Sequence, residues 1–161
     1  SDSLRLSVAD LVAEAGRRRV VSLSGPANWG VELSRLDEEG FRADLTLEGT
    51  SGGVYASGTI EVGAHHACHR CLTEWHEDLD VRFAEMLGGE GAEYPLDGDE
   101  IDLELPLRDT VILALPLLPT CRPGCQGLCA ACGADLNSGA CPGHDEEPDT
   151  PFAALRELLE P

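Results

Sequence analysis

The sequence predicts an α+β fold: an antiparallel β meander or partly closed sheet, a few short helices and a cysteine-rich C-terminal segment. Three observations carry this expectation. Apolar and polar residues alternate through several stretches between Phe41 and Phe83, with turn residues between them, which is the period of a half-buried strand. Helical patterns are short and flank that region. Five of the seven cysteines lie between Cys121 and Cys141.

Taken in order, "VADLVAEA" at 8–15 has a short helical rhythm, and "RRRVVSLSG" reads as a brief strand ending in a turn at Gly25-Pro26. Phe41, Ala43, Leu45 and Leu47 then alternate with Arg42, Asp44, Thr46 and Glu48. After the turn "TSGG", Val54, Ala56, Ile60 and Val62 form the apolar side of a return strand. "EWHEDLDVRFAEML" sets Trp75, Leu79, Val81 and Phe83 on one face of a third strand, so "CHRC" falls at the turn between strands two and three. The Gly-rich, acidic stretch 88–100 reads as a solvated loop, and "IDLEL" as a further strand. "PLRDTVILALP" follows as a helix with Pro106 in its first turn, Leu107, Val111 and Ala114 on one face, and Pro116 ending it. Thr150 as N-cap and Pro151 open a last helix with an apolar stripe of Phe152, Leu155, Leu158 and Leu159. Residues 1–118 thus form a mainly β domain and 119–161 a cysteine-rich segment with a C-terminal helix packed on it, together expected to make one structural unit.

Composition narrows the function classes. The 161 residues carry a formal charge of -19, from 30 acidic and 11 basic side chains, and every basic one is Arg. Without lysine, Schiff-base, P-loop and Ser-Lys chemistries are excluded. A field this negative repels nucleic-acid phosphates and attracts basic proteins. No apolar run approaches the ~18–20 residues of a membrane helix, and the N-terminal stretch lacks the apolar centre of a secretory signal, so a cytoplasmic protein is expected. In a reducing compartment, dense CxxC spacing points to metal before disulfide.

The spacing is Cys68-x2-Cys71, then Cys121-x3-Cys125-x3-Cys129-x2-Cys132-x8-Cys141-x2-His144. Seven thiols and one imidazole make eight ligands, which divide into two closed tetrahedral sites of the kind structural zinc occupies. Cys129, Cys132, Cys141 and His144 are a complete local set. Cys68 and Cys71 with Cys121 and Cys125 would make an all-thiolate site tying the hairpin turn to the C-terminal region. A competing division joins Cys121, Cys125, Cys129 and Cys132, leaving Cys68, Cys71, Cys141 and His144. Either way two structural Zn2+ ions are expected. Closed thiolate-rich sites are poor at activating water, which keeps an open position in catalytic zinc. No nucleophile elbow, P-loop or HExxH motif is present. The acidic runs, including Asp37-Glu38-Glu39, read as solvent-facing charge, and His65, His66, His69 and His76 as solvated residues near the hairpin edge, one of which could replace a cysteine ligand.

The motifs "SGTIEVGAHHACHRCL", "IDLELPLRDTVILALPLLPTC", "GLCAACGADLN" and "TPFAALREL", in this order from about Arg19 onward, resemble the YceD family of large ribosomal RNA subunit accumulation proteins. C-x-R-C-L corresponds to Cys68, Arg70, Cys71 and Leu72, and G-L-C-x-x-C-G-x-x-L-N to Gly127 through Gly133, Leu136 and Asn137. Where longer members of the family often end this cluster in C-x-C, this chain has "CPGH". The resemblance implies a non-enzymatic role in the accumulation or processing of large-subunit ribosomal RNA. Combined with the charge, it leads us to expect a basic ribosomal or assembly protein as partner, with RNA engaged indirectly. The alternative is a zinc-dependent RNA-processing hydrolase or a CxxC thiol redox protein.

Overall fold

Three long strands set the architecture, and their lengths follow from the alternating pattern. In the computed structural model, which describes residues 4–144, the chain runs β1 (Arg5–Ser7), α1 (Ala9–Ala13), β2 (Arg18–Gly25), β3 (Gly30–Val31), β4 (Ser34–Thr50), β5 (Gly53–Ala67), β6 (Glu74–Leu87), β7 (Glu100–Asp102) and α2 (Glu104–Ala114). The main sheet is antiparallel with order β2-β4-β5-β6, and β3 pairs with β4. β1 and β7 form a separate two-stranded ribbon. The C-terminal helix expected from Thr150 lies outside the described residues.

One face of the sheet is apolar because the alternation puts Phe41, Ala43, Leu45, Leu47, Val54, Ala56, Ile60, Val62, Val81 and Phe83 on the same side, where all are buried. Leu11 of α1 and Leu107, Val111 and Leu115 at α2 close over that face, with Ile101 and Leu103 from the connecting chain. The core is aliphatic, as the scarcity of aromatics requires. Phe83 is completely buried, and Phe41 stacks on Trp29 with ring centroids 5.1 Å apart.

The sheet is open, not partly closed. β2 and β6 are its two edges and do not pair with each other. Its apolar face is covered by helices, so burial is complete without the tilt and stagger that barrel closure requires.

Other details depart from the sequence expectation for local reasons. The strand expected at "IDLEL" ends at Asp102, whose carboxylate accepts the Glu104 amide at 2.9 Å and turns the chain into α2. The helix therefore begins two residues before Pro106, which still sits in the first turn where its missing N–H costs nothing. Ala114 is exposed, and Leu115 supplies the last buried contact. Within the loop 88–100, Tyr94 and Leu96 pack on the core. The Tyr94 carbonyl accepts the Gly88 amide at 2.8 Å, and its hydroxyl donates to Asp109 at 3.3 Å. β4 also starts earlier than Phe41. Its register passes from Leu36↔Ala64 to Phe41↔Val62, so residues 37–40 bulge out opposite Gly63. Among the described residues no helix is long and apolar enough to cross a membrane.

Candidate metal centres

"CHRC" lies on the turn joining β5 to β6, and its backbone is repeated almost atom for atom at "CAAC". Leu72 N–H donates to Cys68 O at 2.9 Å, and Gly133 N–H donates to Cys129 O at 2.8 Å. The Cys68 amide reaches Thr73 O at 2.9 Å, and the Cys129 amide reaches Ala134 O at 2.8 Å. Each turn needs a left-handed residue after its second cysteine. Gly133 meets this at φ 72° without steric cost, whereas Leu72 adopts φ 60°. The local fold thus presents both sulfurs of each C-x-x-C pair to one point, with backbone amides directed at them.

The structure brings Cys68 and Cys71 together with Cys121 and Cys125, and separately Cys129 and Cys132 with Cys141 and His144. Within each group the donor atoms lie within 4.8 Å of one another. All seven cysteines are free thiols. Sγ separations are 3.9 Å for Cys68–Cys125, 3.6 Å for Cys71–Cys121 and 3.9 Å for Cys132–Cys141. Four thiolates around zinc at ~2.3 Å would stand about 3.8 Å apart along each tetrahedral edge, so the donors present fit such an ion. Cys68, Cys71 and Cys125 of the first group are buried and pack with Trp75 and the half-buried Cys121 into a small cluster of their own; the second is half-buried to exposed.

Cross-links position the first group. The His69 amide donates to Pro119 O at 2.9 Å, Arg70 Nη1 to Cys125 O at 2.9 Å, and the Leu128 amide to Arg70 O at 3.1 Å. Asn137, which lies between Cys132 and Cys141 in the chain, reaches the first group: its Nδ2 donates to Cys125 Sγ at 3.5 Å, and its Oδ1 accepts the Gln126 amide at 2.8 Å. N–H donors of this kind orient thiolate ligands and disperse their charge.

The sulfurs divide in acidity. Burial pushes the Cys68 thiol up, but amides from Cys121, Cys71 and Arg70 outweigh it and bring it down to about 6. Cys71 is lowered chiefly by Thr73, whose hydroxyl oxygen lies 3.2 Å away. Cys121, by contrast, is pushed up to about 12 by burial and its thiol neighbours. In the second group, amides of Cys132 and Ala131 bring Cys129 down to about 6. Cys141 is drawn down by the Gly143 amide but ends raised through its neighbours, Cys129 foremost. Each group therefore holds a ready thiolate beside a thiol that keeps its proton until positive charge arrives.

The histidines are not a solvated set. His66 is buried, with Nδ1 2.8 Å from Ser34 Oγ and its ring against Trp75. His69 Nδ1 bonds Pro119 O at 3.0 Å. His65 and His76 converge on Asp37, whose carboxylate is mostly buried and not the solvent-facing charge its acidic run implies. The bulge in β4 carries that carboxylate over the sheet, and period-two alternation gives no signal for such an excursion.

A family profile described as "Large ribosomal RNA subunit accumulation protein YceD" matches residues 56–159. The chain belongs to the YceD family. The matched span contains all eight cysteine and histidine donors. An uncharacterized protein of Mycobacterium tuberculosis is 36% identical over 152 residues, covering 87% of this chain and 72% of that protein. Two plant YceD relatives, each named "Large ribosomal RNA subunit accumulation protein YCED homolog 1, chloroplastic", match shorter stretches. The Zea mays protein is 42% identical over 87 residues, 54% of this chain and 26% of its own. The Arabidopsis thaliana protein is 36% identical over 67 residues, 42% and 21% respectively. No solved structure matches the chain.

Proposed function

We propose that this protein is a non-catalytic, zinc-stabilised factor supporting the accumulation of large-subunit ribosomal RNA, and that it acts by holding a basic ribosomal or assembly protein. Membership of the YceD family carries the ribosomal part of this reading. The donor sets support the rest: each supplies four ligands, which fills a tetrahedral zinc and leaves no coordination position for a reacting water. Cys68, Cys71, Cys121 and Cys125 would hold one ion, and Cys129, Cys132, Cys141 and His144 the other. Zinc there would offset part of the charge of the crowded thiolates and clasp the segment after α2 to the β5–β6 turn.

The charge of -19 favours a basic protein over an RNA backbone as the direct partner. Metal analysis under reducing conditions should find two zincs per chain. Cells lacking the protein should accumulate less large-subunit than small-subunit ribosomal RNA, and affinity purification should recover basic ribosomal or assembly proteins. Cleavage of precursor RNA by the purified protein, or tight binding to bare RNA that weakens steeply with salt, would contradict the reading.

A further inference from the structure

The β4 bulge builds a second kind of polar site away from the thiols. His65 and His76 are cross-strand partners on β5 and β6, which puts their rings side by side with centroids 4.9 Å apart. The bulge brings Asp37 between them. His76 Nε2 lies 2.9 Å from Asp37 Oδ2, and His65 Nε2 lies 3.0 Å from Oδ1. Room for the carboxylate comes from Gly63, because a Cβ there would overlap Asp37 and stand 2.9 Å from His76 Nε2. Two imidazole nitrogens and one carboxylate oxygen thus face a common point, all within 4.8 Å.

The two contacts differ in kind. His76 hydrogen-bonds Asp37 Oδ2, whereas the buried Oδ1 accepts no hydrogen bond and meets His65 Nε2 only as an ion-pair contact. Donors held ~2.0–2.2 Å from one cation stand about 3.3–3.6 Å apart at tetrahedral angles and about 2.8–3.1 Å apart at right angles, so separations of 2.9 and 3.0 Å suit right-angled positions in a five- or six-coordinate shell. Further negative charge surrounds the point. Asp78 Oδ1 lies 3.9 Å from His76 Nε2, and Gly63 and Asp78 open onto a cleft also lined by Glu39, Glu61, Asp80 and Arg42, the last paired with Glu61 at 4.0 Å. Arg35, the cross-strand neighbour of His65, is engaged by Glu74 at 3.8 Å.

We propose that Asp37, His65 and His76 form a metal site, separate from the cysteine clusters, for a first-row divalent cation such as Zn2+. Two imidazoles select this class over Mg2+ or Ca2+, which prefer all-oxygen shells. Bound there, the ion pins the bulge of β4 to β5 and β6, and Asp78 or water completes its shell. The proposal does not depend on what the cysteines bind.

Zn2+ titration of histidine-labelled protein, followed by imidazole proton–nitrogen NMR, tests it. Thiol donors fill first; at the following equivalent, His65 and His76 should together convert to rings coordinated through Nε2, while Mg2+ has no effect. Asp37→Asn and His76→Gln should weaken that last equivalent at least tenfold, leaving the zinc held by the cysteines unchanged. Both imidazoles lie at the rim and are more than 40% exposed, and the wild-type spectra decide the question independently of how the variants fold. His65 and His76 resonances that stay unmoved through excess Zn2+, or that shift equally in Asp37→Asn, would overturn the site.

Discussion

Replacing Cys121 and Cys125 together by Ser should unlatch the segment after α2 from the sheet without unfolding the sheet. The first cysteine group and the main core share no buried residue, so two halves of the molecule are held by separate interactions. Without an ion, four hydrogen bonds join them: His69 to Pro119 through both its amide and its Nδ1, Arg70 to Cys125 and Leu128 to Arg70. At about 1 kcal/mol net each they supply ~4 kcal/mol, against roughly 10–16 kcal/mol for a structural zinc. Ordering backbone costs about 1–2 kcal/mol per residue, so these bonds alone hold only a few residues in place. Hydrogen exchange reads this directly. The Leu128 and His69 amides should fall to a protection of roughly 10³-fold or less, the ceiling set by ~4 kcal/mol, while amides of Leu45, Ile60 and Phe83 keep theirs and bound metal drops by one per chain. Equal loss of protection in β4 and β5 would refute the separation of the two clusters.

Phe83→Ala removes a completely buried aromatic side chain from the mainly aliphatic core and should cost about 3–5 kcal/mol, read as a fall in Tm of roughly 6–20 °C with the metal content unchanged. Gly58→Ala places a Cβ against the Asp44 carbonyl and 2.9 Å from Leu45 Cα; the backbone of β4 must shift, so denaturant unfolding should show a loss larger than the ~1 kcal/mol typical of a surface change. Burial, reinforced by Asp109, pushes the Tyr94 hydroxyl up from 10.0 to about 12. Stability from the protonated phenol is therefore complete below pH 10 and is lost as pH rises through 12, and Tyr94→Phe should flatten that part of the melting-temperature profile.

The strands from Phe41 to Phe83 were legible because a half-buried sheet imposes a period of two, and the apolar residues named from the pattern are buried except Trp75 and Leu79, which are half-buried. Cysteine spacing made the two C-x-x-C turns legible for the same reason, since the turn itself sets the distance between the sulfurs. What escaped is whatever depends on a change of period or on tertiary placement. The bulge at residues 37–40 interrupts the alternation, so "DEEG" read as surface charge and Asp37 was missed. His66 looked solvated beside His65, yet strand alternation points it to the opposite face, against Trp75. "IDLEL" alternates well, but the Asp102 side chain ends the strand early. Openness of the sheet depends on helices covering its face, which no strand sequence reveals.

The two donor groups differ in how far the chain must travel to assemble them. Cys129 and His144 are fifteen positions apart, whereas Cys68 and Cys125 are separated by 57. Each doubling of a loop adds about 0.6 kcal/mol of closure entropy, so the longer closure costs roughly 1.2 kcal/mol more, and it also waits for β5 and β6 to pair and form the turn bearing Cys68. During synthesis Cys121 and Cys125 leave the ribosome before Cys141 and His144, so the long-range group has all its donors free first, and its closure waits on the pairing of β5 with β6. An ion held there would therefore record that the β5–β6 turn and the segment bearing Cys121 and Cys125 have met.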